Sequence, residues 1–105
     1  MKIVMSLGVA AVLLCACRPA NRFEVIDPGR IAVSGQLELC DRPSRQIPRL
    51  QDRLEIRIPA DCRGSGRIVI KLADGRTADC PIRFVAEGLD AWYRYRLTDG
   101  ACEIG

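Results

Sequence analysis

The chain has 105 residues, with 16 Lys or Arg against 13 Asp or Glu and no His. That length allows one domain, and a formal charge of +3 is too balanced for a nucleic-acid footprint. Without an imidazole, Ser-His-Asp and Cys-His catalysis are excluded.

Residues 1–17 carry one charge at Lys2, then an apolar run from Ile3 to Leu14 interrupted by Ser6 and Gly8, and close on Leu14-Cys15-Ala16-Cys17. The run is shorter than the roughly 20 apolar residues a membrane-spanning helix needs. It has the charged, apolar and small-residue regions of a secretory signal peptide. The closing tetrapeptide resembles the lipobox of bacterial lipoproteins: Leu, a small residue, Ala or Gly, then a Cys that is acylated and becomes the new N-terminus. Leu14, Ala16 and Cys17 match that pattern, while Cys15 stands where Ala, Ser or Thr is more usual. The resemblance covers residues 1–17 alone. It implies a signal peptide over 1–16 and a Cys17 bearing a diacylglyceryl thioether and an acylated amine such as a palmitoyl amide. It also implies a place in the bacterial cell envelope. Arg18, rather than Asp, follows the Cys, which by the same resemblance points to the outer membrane, facing the periplasm or the exterior. Cleavage by the ordinary signal peptidase near Ala16 or Ala20 is the alternative. It would release a soluble, secreted, disulfide-rich inhibitor or ligand-binding module.

Without residues 1–16, 89 residues remain, and 15 basic side chains face 13 acidic ones. A domain of this size is marginally stable on its core alone. Cys40, Cys62, Cys80 and Cys102 are then left, an even number in a compartment where disulfides persist. Their spacings of 22, 18 and 22 residues contain no Cys-x-x-Cys pair, so disulfides are the better reading than zinc. Basic residues are almost all Arg, as codon bias in a GC-rich genome also produces.

Residues 17–30 read as a lipidated N-terminus and tether, with a turn at Asp27-Pro28-Gly29 and a short edge strand around Phe23, Val25 and Ile26. The domain is expected over 31–105. Ile31 to Leu39 alternates, with Ile31, Val33, Leu37 and Leu39 on one face, which predicts a half-buried strand. Residues 41–52, with Pro43 and Pro48, read as a long connection. Leu54, Ile56 and Ile58 alternate with Arg53, Glu55 and Arg57 in a second strand, stopped by Pro59. Ile68, Ile70 and Leu72 form a third, and Ala73-Asp74-Gly75 a three-residue hairpin loop. The hairpin register places Ile70 opposite Ala78 and Ile68 opposite Cys80, with Ile82, Phe84 and Ala86 continuing the inward face. The fifth strand turns Ala91, Tyr93, Tyr95 and Leu97 inward. Asp99-Gly100 is a two-residue hairpin signal that sets Leu97 opposite Cys102, Tyr95 opposite Ile104 and Arg96 opposite Glu103.

No segment of the mature chain reads as a helix. Six to seven short strands predict an all-β fold, a small antiparallel β-sandwich or barrel stapled by disulfides. Strand directions select the pairing. If residues 41–52 cross back to the other end of the domain, Cys62 arrives beside Cys40 and Cys80 lies with Cys102. The second pair forms only if the last strand leaves the sheet of the fourth, because Cα atoms more than about 7 Å apart cannot be bridged.

The glutamates mostly fall on polar strand faces, no residues assemble into a catalytic or metal-binding constellation, and no cofactor is implied. The candidate binding surface is the outward face of the fifth strand, Trp92, Arg94 and Arg96. Guanidinium groups can stack on the indole there. Such a face suits an envelope protein, a glycan or a lipid headgroup. The alternative is a Trp92 tucked under a loop, with Arg94 and Arg96 paired to carboxylates. The sequence thus leads to a non-enzymatic binding or structural component that meets the membrane through a lipid anchor.

Overall fold

A computed structural model describes residues 19–105. Cys15, Cys17 and the rest of the lipobox lie outside the described residues. Those described form eight strands: β1 (Asn21–Ile26), β2 (Ala32–Leu39), β3 (Arg45–Gln46), β4 (Arg53–Ile58), β5 (Gly64–Leu72), β6 (Thr77–Val85), β7 (Trp92–Thr98) and β8 (Ala101–Ile104). They are arranged as two four-stranded sheets, β4-β1-β7-β8 and β3-β2-β5-β6. The fold is all-β, with one strand more than the longest expectation. The sheets enclose Phe23, Val25, Leu37, Ile47, Leu54, Ile68, Ile70 and Ile82, all essentially without solvent contact.

The first correction concerns β1. Asn21–Ile26, read as part of a tether with an edge strand, is an inner strand, antiparallel to β4 and parallel to β7. Phe23 and Val25 point into the core. The β1–β7 pair also makes the first sheet mixed rather than antiparallel. The tether reading underweighted the Phe23-Glu24-Val25 alternation because the stretch is short and flanked by turn residues.

Two irregularities overturn face assignments. Ala32 lies opposite Leu72 but Ser34 opposite Lys71, so Val33 is an extra residue that points to solvent. On β6, Gly64 lies opposite Val85 but Gly66 opposite Ile82. Val85 therefore turns inward and Phe84, expected inside, is 49% exposed. A bulge inserts one residue on one strand, so with a side-chain period of two a single alternation no longer holds on both sides of it. Ala86, beyond the bulge, is buried as expected.

The hairpins keep the expected registers. Ile70 faces Ala78 and Ile68 faces Cys80, around a loop in which Gly75 has a φ of 90°. In β7–β8, Leu97 faces Cys102, Tyr95 faces Ile104 and Arg96 faces Glu103. Asp99 and Gly100 have φ values of 53° and 80°, the consecutive positive pair of a type I′ turn.

Residues 41–52 do more than connect. Arg45–Gln46 adds a short strand to the edge of β2, and Ile47 then enters the core at 2% exposure. The chain continues into β4 of the opposite sheet. That change of sheet brings Cys62 beside Cys40, with Cα atoms 6.4 Å apart. Cys80 on β6 and Cys102 on β8 are 5.4 Å apart. Here the last strand does lie in the other sheet from β6. Each disulfide joins the two sheets, one beyond the ends of β2 and β4, the other across the edge strands β6 and β8.

Candidate binding face and groove

Alternation sorts the sheet β4-β1-β7 into an inner face and an outer one. Arg53, Glu55 and Arg57 of β4 face outward, as do Arg22 and Glu24 of β1 and Trp92, Arg94 and Arg96 of β7. The registers align them in cross-strand rows, Arg57–Arg22–Trp92 and Glu55–Glu24–Arg94. Directly opposed β1–β4 pairs are like-charged, Arg22 with Arg57 and Glu24 with Glu55, so the compensating ion pairs run diagonally between rows, Arg22 to Glu55 and Arg53 to Glu24. Arg22 grips Glu55 with two hydrogen bonds, Nε to Oε2 at 3.0 Å and Nη2 to Oε1 at 3.1 Å. Arg53 donates to Glu55 at 3.0 Å and lies 3.2 Å from Glu24. The Arg22 hydrogen bond lowers the Glu55 pKa from its ordinary value; partial burial opposes this and Arg53 reinforces it.

Glu24 is buried beneath this layer, its side chain only 5% exposed. Arg22, Arg53 and Arg94 approach it at 3.6, 3.2 and 3.5 Å. Its Oε1 nonetheless makes no hydrogen bond, so the carboxylate is held by charge rather than by directed bonds.

Trp92 stands above this layer, 52% exposed. Arg22 sits over its ring at 4.3 Å from the centroid and Arg94 at 5.1 Å. The ring is therefore not tucked under a loop. Both guanidinium groups lie within cation–π reach of the ring at a solvated surface. Arg94 leans toward Glu24 as the alternative reading expected. Arg96 faces Glu103 across β7–β8, yet among the described residues no carboxylate lies within 4 Å of Arg96 or Arg57.

The sheet edge beside Trp92 opens into a groove of about 400 Å³, lined by Pro81, Arg83 and Phe84 of β6, the start of β7 and Ile104. Its floor is tied down by two tyrosines. Tyr93 donates to the Phe84 carbonyl at 2.7 Å and Tyr95 to the Pro81 carbonyl at 2.6 Å. These bonds occupy carbonyls on the edge strand β6, where Pro81 has no amide hydrogen to offer. Burial raises both phenol pKa values, and Tyr93 adds to the effect on Tyr95. Tyr93 stacks on Phe23 with centroids 4.9 Å apart. The groove is thus rigid at its base and apolar at its rim, where Phe84, Trp92 and Ile104 are exposed.

A larger cavity of about 690 Å³ lies between the 42–45 segment and the end of β4, lined by Leu37, Leu39, Pro43, Arg45, Ile58 and Asp61 among others. None of the candidate binding residues reaches it. Among the described residues no group of His, Cys, Asp and Glu is placed to hold a metal ion.

The structure brings Trp92 and Arg94 together and leaves Arg96 on the same face. It adds Arg22, Glu24 and Phe84, which the sequence reading missed. Arg22 and Glu24 had been assigned to a tether, and Phe84 changes face only through the bulge. The one signal for the first two was their alternation with Phe23 and Val25. Comparison with protein-family models, curated proteins and solved structures finds no match for this chain.

Proposed function

We propose that this is a small envelope lipoprotein, a non-enzymatic binding or structural component anchored to a bacterial membrane through lipidated Cys17. The observation that carries the reading is the fate of the cysteines. Cys40, Cys62, Cys80 and Cys102 are consumed in two disulfides, bonds that persist outside the reducing cytosol. Cys17 closes the Leu14-Cys15-Ala16-Cys17 stretch, whose resemblance to a lipobox gives its thiol a use. The sandwich is then a platform stapled by two disulfides, and the Trp92, Arg94 and Arg96 face is its contact surface. The outer membrane is the proposed site, from Arg18.

Fatty-acid labelling of the full chain in a bacterial host tests this. Wild type incorporates label in a globomycin-sensitive manner, and Cys17→Ser abolishes the label and leaves precursor or a soluble form. Label that persists in Cys17→Ser overturns the assignment of Cys17. A wild type that is never labelled overturns the anchor altogether.

A further inference from the structure

The place where the chain joins the sandwich is fixed beside the tryptophan. Asn21, the first residue of β1, accepts a hydrogen bond at Oδ1 from the Ala91 amide at 3.0 Å. The Arg22 amide donates to the Ala91 carbonyl at 2.8 Å. Arg22 and Trp92 are neighbours in the parallel ladder. Cys17 precedes Asn21 by four residues, a length of chain that spans at most about 14 Å. A lipid on Cys17 therefore holds this end of the sandwich at the bilayer.

The same end carries exposed apolar side chains: Trp92, Phe84 next to it across the groove, and Leu89 on the turn that leads into β7. Scattered exposed apolar residues mean little. These gather around the point from which the anchor would extend. Arg57 on the row of Trp92 and Arg83 on the groove rim accompany them. Among the described residues neither has a carboxylate within 4 Å. Tryptophan and arginine together suit the layer of lipid headgroups, where a ring has both apolar and wet surroundings and a guanidinium meets phosphate. Glu87 and Asp90 lie on the same turn as Leu89, so attraction does not rest on excess positive charge. A short tether raises the local concentration of the face at the membrane, so even weak partitioning is sufficient.

Building on the anchor reading, we propose that the partner of this face is the bilayer itself. Trp92, Phe84 and Leu89 seat among the headgroups of the leaflet that holds Cys17, and Arg57 and Arg83 contact lipid phosphates. The sandwich then lies against the membrane by this end rather than swinging free.

Trp92 is the chain's single tryptophan, so its fluorescence reports this site alone. Full-length lipidated protein, verified by fatty-acid label, is reconstituted in phosphatidylethanolamine–phosphatidylglycerol vesicles. In one preparation bromine sits on the acyl carbons nearest the headgroups. The expected result is a blue-shifted emission, quenched roughly twofold by bromolipid and shielded from iodide, as an interfacial indole should be. The double variant Phe84→Ser with Leu89→Ser, both exposed positions, should lose most of that quenching while keeping its label. Labelled wild type with an unquenched, iodide-accessible Trp92 overturns the membrane-facing surface and leaves the anchor intact. Unlabelled wild type overturns both, and the label itself distinguishes that failure.

Discussion

Two buried carboxylates, three residues apart, are held in opposite ways. Asp27, fully buried after β1, accepts hydrogen bonds from the Ile31 and Ala32 amides at 3.0 Å each and from Arg49 at 2.9 Å. Every donor is aimed at an oxygen, and two of the three are main chain. The carboxylate thereby shapes the corner from β1 into β2 and pins Arg49 in the segment between β3 and β4. Glu24 has three guanidinium groups around it at 3.2–3.6 Å but leaves Oε1 without a hydrogen bond. Its partners are half-exposed side chains that also serve Glu55 and Trp92. The first carboxylate is part of the fold. The second is part of a surface, a buried charge that gathers a layer of arginines without directed bonds to them.

Removing Asp27 should have the largest effect. Asp27→Ala orphans two amides and an arginine, and should lower the free energy of unfolding by about 3 kcal/mol, measured by urea titration. Burial raises the Asp27 pKa, but the Ala32 amide, Arg49 and the Ile31 amide outweigh it, so the pKa in the folded protein lies below the ordinary value of 3.8. A depressed carboxyl contributes stability that is fully present above its unfolded pKa and lost as pH falls through its folded one. Wild type should therefore lose stability below about pH 4, and Asp27→Asn should flatten that acid limb. An unchanged limb in Asp27→Asn would mean that another carboxylate sets it.

Glu24→Gln should cost less, about 1 kcal/mol, because Arg22 and Arg53 keep Glu55 and all three arginines reach solvent. Added salt should shrink this difference while leaving the Asp27→Ala deficit nearly intact. Equal losses at the two positions would erase the distinction drawn between them. Trp92→Ala should cost least, under about 1 kcal/mol, the scale of exposed cation–π contacts. A loss of several kcal/mol in thermal or urea unfolding, typical of a core aromatic, would make Trp92 structural rather than a contact residue.

The legible parts of the sequence are those whose partners are close along the chain. Asp99-Gly100 and Ala73-Asp74-Gly75 place their flanking strands through backbone geometry confined to the turn, so the opposed pairs Leu97–Cys102 and Ile70–Ala78 followed from counting. The pairing of Cys40 with Cys62 followed from strand direction, a property that survives errors in strand position. The surface was legible at Trp92 and Arg94, which lie on a regular strand. It was not legible at Arg22 and Glu24, whose neighbours are 70 residues away on β7.

The sequence by itself determined the all-β class and the two tight hairpins with their registers, because each rests on local turn chemistry or a period of two. The cysteine pairing followed from strand direction only on a condition met in the tertiary structure: residues 41–52 cross between the sheets and β8 leaves the sheet of β6. Only the tertiary structure decided that β1 lies between β4 and β7, that residues 41–52 contribute a strand and a core residue, and that Val33 and Phe84 face solvent. Main-chain hydrogen bonds between strands are the same for every partner, so the choice among distant strands falls to packing. Likewise a bulge adds one residue without any fixed signature, and Phe84 moves from the expected core to the rim of the groove.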